Sequence, residues 1–116
     1  MTSAVSRLTI SVAELDRSLP LYENVLGLTR RYALPGLVLL ATSNDVEVLL
    51  HERPPTPGDA AVAPSFRVED VDAATADALL AGATVIDEPA DRAWGERQSV
   101  LHDVDGHVIC LVAPLA

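Results

Sequence analysis

Three histidines, His51, His102 and His107, one cysteine, Cys110, and eight arginines with no lysine are the side chains here that could move protons, attack carbon or hold an oxyanion. His102 reads either as a general base, imidazole being the side chain suited to that work in water, or as a strand histidine that only packs. Cys110, inside the apolar run Val108-Ile109-Cys110-Leu111-Val112, reads as a small buried hydrophobe, or as a reactive thiolate only with Arg7 or His102 beside it. His51 borders a polar stretch and His107 falls at a hairpin tip, where a polar residue is usual. Without lysine, Schiff-base chemistry and lysine-bearing phosphate loops are excluded. One cysteine excludes an internal disulfide and a Cys-rich zinc site, and it fits a reducing compartment.

These side chains need elements to position them, and the chain repeats itself. Val12-Ala13-Glu14-Leu15-Asp16 recurs as Val68-Glu69-Asp70-Val71-Asp72. Each copy ends a run of alternating apolar residues, Leu8 to Val12 and Pro64 to Val68, the pattern of a strand covering a core on one face. A helix is predicted after each. Pro20 clashes inside a helix begun at Leu15, so the first is predicted to start after Ser18 as cap and to run through Tyr22, Val25 and Leu26 to Gly27. The second takes Asp70 as cap and runs through Val71, Thr75, Ala78 and Leu79 to Gly82. Strands are predicted at about 28–34, 37–43 and 45–52, then at about 83–88, 97–103 and 107–113, with Pro35-Gly36 and Asp105-Gly106 as turns.

The expected fold is therefore α+β: two βαβββ modules, about 5–53 and 62–114, joined by a stiff polar linker at about 54–61 within one domain spanning 1–116. The modules form a curled mixed sheet with a concave pocket and with helices on the outer face. Seventeen acidic residues against eight basic ones give a net charge of −9, which repels phosphate backbones and anionic lipid. No nucleic-acid or membrane partner is expected. No apolar stretch approaches the roughly 20 residues of a spanning helix, the N-terminus lacks the pattern of a signal peptide, and a cytoplasmic location is expected.

The phrases Val12-Ala13-Glu14-Leu15-Asp16-Arg17-Ser18, Val25-Leu26-Gly27-Leu28, Phe66-Arg67-Val68-Glu69-Asp70-Val71-Asp72, Trp94-Gly95-Glu96-Arg97 and Asp103 to Leu111 together resemble the vicinal oxygen chelate superfamily, which includes glyoxalases, bleomycin-resistance proteins and extradiol dioxygenases. The resemblance covers nearly the whole chain. It implies four metal-ligand positions, which fall here on Arg7, Leu49, Ala63 and Cys110. Arg, Leu and Ala side chains have no lone pair to give, and a guanidinium repels a cation, so neither metal nor other cofactor is expected at that place.

Strand alternation then extends the pocket face from those four positions. It gives Arg7, Thr9 and Ser11; Glu47, Leu49 and His51; Ala63, Ser65 and Arg67; and Val108, Cys110 and Val112. Pairing across the Asp103 to His107 hairpin adds Val100 and His102. Trp94, in the loop Asp91 to Arg97, reads as a ring that closes over a ligand or as one that packs. Arg7 either orients a ligand oxygen or pairs with Glu47.

Mixed polar and apolar walls suit a medium-sized organic ligand, and the acidic balance suits a cationic one. The leading expectation is a metal-free small-molecule binding protein, similar to bleomycin-resistance proteins, that holds a cationic or planar natural product; the resemblance also implies a homodimer. The ligand-binding candidates are Arg7, Thr9, Glu47, Leu49, His51, Ser65, Arg67, Trp94, Val100, His102 and Cys110. The alternatives are a metal-independent isomerase, cyclase or lyase with Glu47 or His102 as base, a glyoxalase- or dioxygenase-type metalloenzyme with a displaced site, and an assembly module whose cavity has filled in.

Overall fold

The computed structural model describes residues 2–59 and 61–116, and these divide into two compact units, 1–55 and 56–116. In the first unit β1 (Arg7–Val12) is followed by α1 (Leu15–Leu19), a π-helical stretch over Pro20–Val25, and strands β2 (Thr29–Leu34), β3 (Leu37–Ala41) and β4 (Glu47–Glu52). The second repeats the order with β5 (Ser65–Arg67), α2 (Val71–Leu80), β6 (Thr84–Arg92), β7 (Glu96–His102) and β8 (Val108–Pro114). Each unit holds one four-stranded mixed sheet, ordered β1-β4-β3-β2 in the first and β5-β8-β7-β6 in the second. The pairs β1–β4 and β5–β8 are parallel and the others antiparallel. The architecture is the α+β one expected from the repeat.

Alternation sorts the strands as the sequence does. In the first unit Val12, Val38, Leu40, Val48 and Leu50 are buried on one sheet face, joined by Leu21 and Tyr22. In the second, Phe66, Leu101, Ile109 and Leu111 are buried with Val71 and Ala78 of α2. A hydroxyl pair lies in this second core, Thr75 Oγ1 to Ser99 Oγ at 2.8 Å. Thr75 also donates to the Val71 carbonyl at 2.6 Å, so neither buried hydroxyl is orphaned. Arg97 fastens the start of α2 to β7: Nε and Nη2 donate to the two Asp72 oxygens at 2.7 and 2.9 Å, and Nη1 to Asp91 Oδ1 at 2.9 Å. That fork holds the Asp72 carboxyl below the ordinary carboxylate range.

The first helix departs from expectation. It begins at Leu15, not after Ser18, and Ser18 is a buried helix residue rather than a cap. Pro20 has no N–H to continue the α-helical ladder, and the chain widens at that residue into π-helical hydrogen bonding, such as Leu26 N to Leu21 O at 2.9 Å. The helix start is capped from outside, by Glu52 Oε2 accepting from the Leu15 N–H at 3.0 Å. Asp70, by contrast, caps α2 as expected, its Oδ1 accepting from the Ala73 N–H at 3.0 Å.

The other departure is β6. It was expected to stop near residue 88, yet it continues through Pro89 to Arg92, with register shifts between Val85 and Asp87 and between Asp87 and Ala90. An edge strand tolerates proline at a bulge because no partner needs its missing N–H. The segment expected to be a loop around Trp94 is thereby the end of a hairpin, turned at Ala93-Trp94-Gly95 with Gly95 at φ +92°.

Candidate functional site

The face of the second sheet opposite α2 carries a cavity of about 480 Å³. Its apolar walls are Ala63, Ile86, Val100 and Val108, and its polar groups are Asp59, Asp87, Gln98, His102 and Cys110. The pairing explains the set: β7 meets β8 with Val100 opposite Cys110 and His102 opposite Val108, and β8 meets β5 with Cys110 opposite Ser65 and Val112 opposite Arg67. Ser65 and Arg67 share this sheet face but lie outside the cavity lining. The first bulge of β6 places two consecutive residues, Ile86 and Asp87, against the space.

Cys110 lies on the cavity wall, half-buried. Burial pushes its thiol pKa up, and the charges of Glu96 and Asp87 add to this, while a hydrogen bond with Ser65 pulls the other way. The neutral thiol is therefore the resting form at neutral pH, and no activated nucleophile results. At pH 7.5 iodoacetamide should modify Cys110 several-fold more slowly in the folded protein than in the unfolded chain. Asp87→Asn should speed the reaction and Ser65→Ala slow it, as followed by mass spectrometry. A reaction as fast as in the unfolded chain would show an ionised thiol instead.

The remaining candidates fall in the first unit or outside the cavity. Arg7 and Glu47 face each other across β1 and β4, and Arg7 Nε and Nη2 both donate to Glu47 Oε1, at 2.9 and 2.7 Å. Pairing is thus what occupies Arg7, and Glu47 is engaged by it. Thr9 stands opposite Leu49, and a half-buried His51 stands opposite Ser11 and Leu37. Trp94 is 66% exposed at the hairpin tip, its Nε1 donating to Glu96 Oε1 at 2.7 Å, and it does not line the cavity. As a residue of a turn anchored to its own hairpin it is not placed to close over this space.

Asp59, Ile86, Asp87 and Gln98 are lining residues that sequence reasoning did not name. Gln98 was within reach, since it lies two positions before Val100 on the same strand face. Asp87 was not, because the bulges break the alternation that would have located it.

Metal chemistry finds no donor set at the four positions that the family resemblance marks. The guanidinium of Arg7 and the hydrocarbon side chains of Leu49 and Ala63 offer no lone pair, and Cys110 keeps its proton. Among the described residues, no group of three or more His, Cys, Asp or Glu is arranged to hold a metal ion.

Fold and cavity together define a βαβββ-repeat protein with a ligand-sized space on one sheet. The family model described as the glyoxalase/bleomycin resistance protein/dioxygenase superfamily matches residues 4–111, and the chain belongs to that superfamily. It is 36% identical over 107 residues to the protein CFP32 of Mycobacterium bovis and Mycobacterium tuberculosis, across 85% of this chain and 40% of that protein. The chain thus spans about two fifths of the length of these relatives. Among solved structures, a superfamily enzyme from Burkholderia phytofirmans shares the fold with a TM-score of 0.83 at 20% identity, over 97% of this chain and all of that one. TnmS3, an antibiotic binding protein from a Streptomyces species, superposes with a TM-score of 0.73 at 28% identity, covering 97% of each chain. No helix is long and apolar enough to cross a membrane.

Proposed function

We propose that the protein binds a basic organic molecule of moderate size in the second unit, without a metal, and protects by sequestration. The observation that carries this reading is the cavity itself. Its volume of about 480 Å³ falls in the ordinary range for ligand pockets, its walls are largely aliphatic, and its only formal charges are the carboxylates of Asp59 and Asp87. Those carboxylates suit an amine or amidine, and the net charge of −9 favours the approach of a cation. The likeness to TnmS3, which binds an antibiotic, supports the same reading. The protein is taken to act as a cytoplasmic homodimer, for which exposed apolar residues of the edge strand β2, Tyr32 and Leu34, offer a surface.

Calorimetry against a panel of basic planar natural products tests the proposal. Wild type is expected to bind at least one member, Ala63→Trp to lose roughly ten-fold or more in affinity by filling the space, and Asp87→Asn to weaken the cationic members selectively. Absence of binding across the panel, or binding indifferent to Ala63→Trp in a protein that is still folded by circular dichroism, overturns it.

A catalytic reading rests on His102 alone, because this imidazole lines the cavity whereas Glu47 is held by Arg7. His102→Ala separates the two readings: a catalyst loses turnover of its substrate, whereas a passive binder keeps its affinity.

A further inference from the structure

We propose that Arg92 is the anchor for a carboxylate at one end of the second unit's ligand site, so that the ligand is a zwitterion with its basic end against Asp59 and Asp87. This rests on the binding reading above and names the class of ligand.

Arg92 stands opposite Glu96 at the end of the β6–β7 hairpin, one cross-strand row beyond the pair Ala90 and Gln98 on the same sheet face. Gln98 lines the cavity, whereas the intervening Asp91 and Arg97 engage α2 through Asp72 on the opposite face. Arg92 therefore shares the cavity's sheet face, one row beyond its lining, and not the helix layer.

Its Nε is buried without a hydrogen-bond partner, the sole such side-chain atom among the described residues. A desolvated guanidinium N–H with no acceptor is costly, and a native fold rarely keeps one without a use for it. The acid across the strand does not supply the acceptor: Glu96 Oε1 accepts from the Trp94 indole N–H, and no hydrogen bond joins Glu96 to the Arg92 Nε. Elsewhere Arg7, Arg30, Arg31 and Arg97 each pair with a carboxylate, of Glu47, Glu23, Asp45 and Asp72 respectively. Arg17, Arg53 and Arg67 also stand outside those pairs, and what sets Arg92 apart is the burial of its unsatisfied Nε.

A guanidinium presents Nε and Nη hydrogens as a planar fork that matches a carboxylate. From Val100, opposite Asp87, to Glu96, opposite Arg92, is four residues of β7, about 13 Å. Side chains reaching inward from both ends leave on the order of 10 Å for the ligand's two charges, which a rigid aromatic ω-amino acid spans.

The test is calorimetry with 6-(aminomethyl)-2-naphthoic acid, its methyl ester and its N-acetyl derivative, on wild type, Arg92→Gln and Arg92→Lys. Wild type should bind the zwitterion about ten- to hundred-fold more tightly than the ester. Arg92→Gln should erase that preference and leave the ester unchanged, and Arg92→Lys should restore part of it. The thermal midpoint of Arg92→Gln should not fall, since the substitution removes an unsatisfied buried donor. If wild type binds ester and zwitterion equally, the anchor is refuted while the pocket reading stands. A drop in the midpoint with affinities unchanged makes Arg92 a structural residue and likewise refutes the anchor. If none of the three compounds binds wild type while a member of the basic panel does, the anchor is refuted and the pocket reading stands; if the panel fails as well, both fall.

Discussion

Replacing Leu111 by alanine is expected to lower stability by about 3 to 4 kcal/mol. Leu111 is fully buried on β8, an interior strand, opposite Ser99 on one side and Phe66 on the other. Loss of the isobutyl group removes its transfer free energy, and the cavity left behind adds to this because two neighbouring strands and α2 pin the surroundings. Cys110, next to Leu111, and Val108 on the same strand line the cavity, so loosening β8 also disturbs the binding wall. Urea denaturation monitored by circular dichroism checks the first effect, and a fall in ligand affinity measured well below the unfolding transition checks the second. A change under 1 kcal/mol would show that Leu111 is not a keystone of this core.

Asp103→Ala should cost about 2 to 3 kcal/mol. Asp103 is 3% exposed, and its Oδ1 accepts from the N–H groups of Asp105 and His107 at 3.0 and 2.9 Å. The backbone of the same residue closes the turn, Asp103 N donating to the His107 carbonyl at 2.8 Å and Gly106 N to the Asp103 carbonyl at 3.0 Å. Alanine leaves two amides in a half-buried turn without their acceptor. Asparagine keeps an oxygen in the same place, so Asp103→Asn should recover more than half of the loss. The hairpin sets the β7–β8 register that puts His102 opposite Val108, and hydrogen exchange of the Val108 to Leu111 amides should accelerate in the alanine variant. Equal stabilities for the alanine and asparagine variants would remove the acceptor role.

What the sequence made legible followed from periodicity and from local chemistry. The partners of Val100 and His102 follow from a period of two that a hairpin carries into register, and the Asp70 cap and the turns at Pro35-Gly36 and Asp105-Gly106 from the local chemistry of an Asx cap and of glycines at positive φ. Where the period breaks, reading from sequence fails. The proline rule rightly marks Pro20 as incompatible with an α-helical ladder, but it does not say that the chain answers by widening its turns instead of starting later. The two extra residues in β6 hide Asp87 from any count of alternate positions, and its carboxylate is one of the two that charge the cavity wall. Arg7 and Glu47 were nameable as a pair because they stand at equivalent positions of adjacent strands, which alternation alone supplies.

The bulges in β6 have an evolutionary corollary. Because each inserts one residue, deleting a single codon at the first would close the ladder there while the pairs on either side keep their partners, taking Ile86 or Asp87 from the cavity wall. Relatives differing by one residue in this strand would present a ligand with a different set of charges while keeping the same scaffold, a route to new selectivity by changing length and not composition.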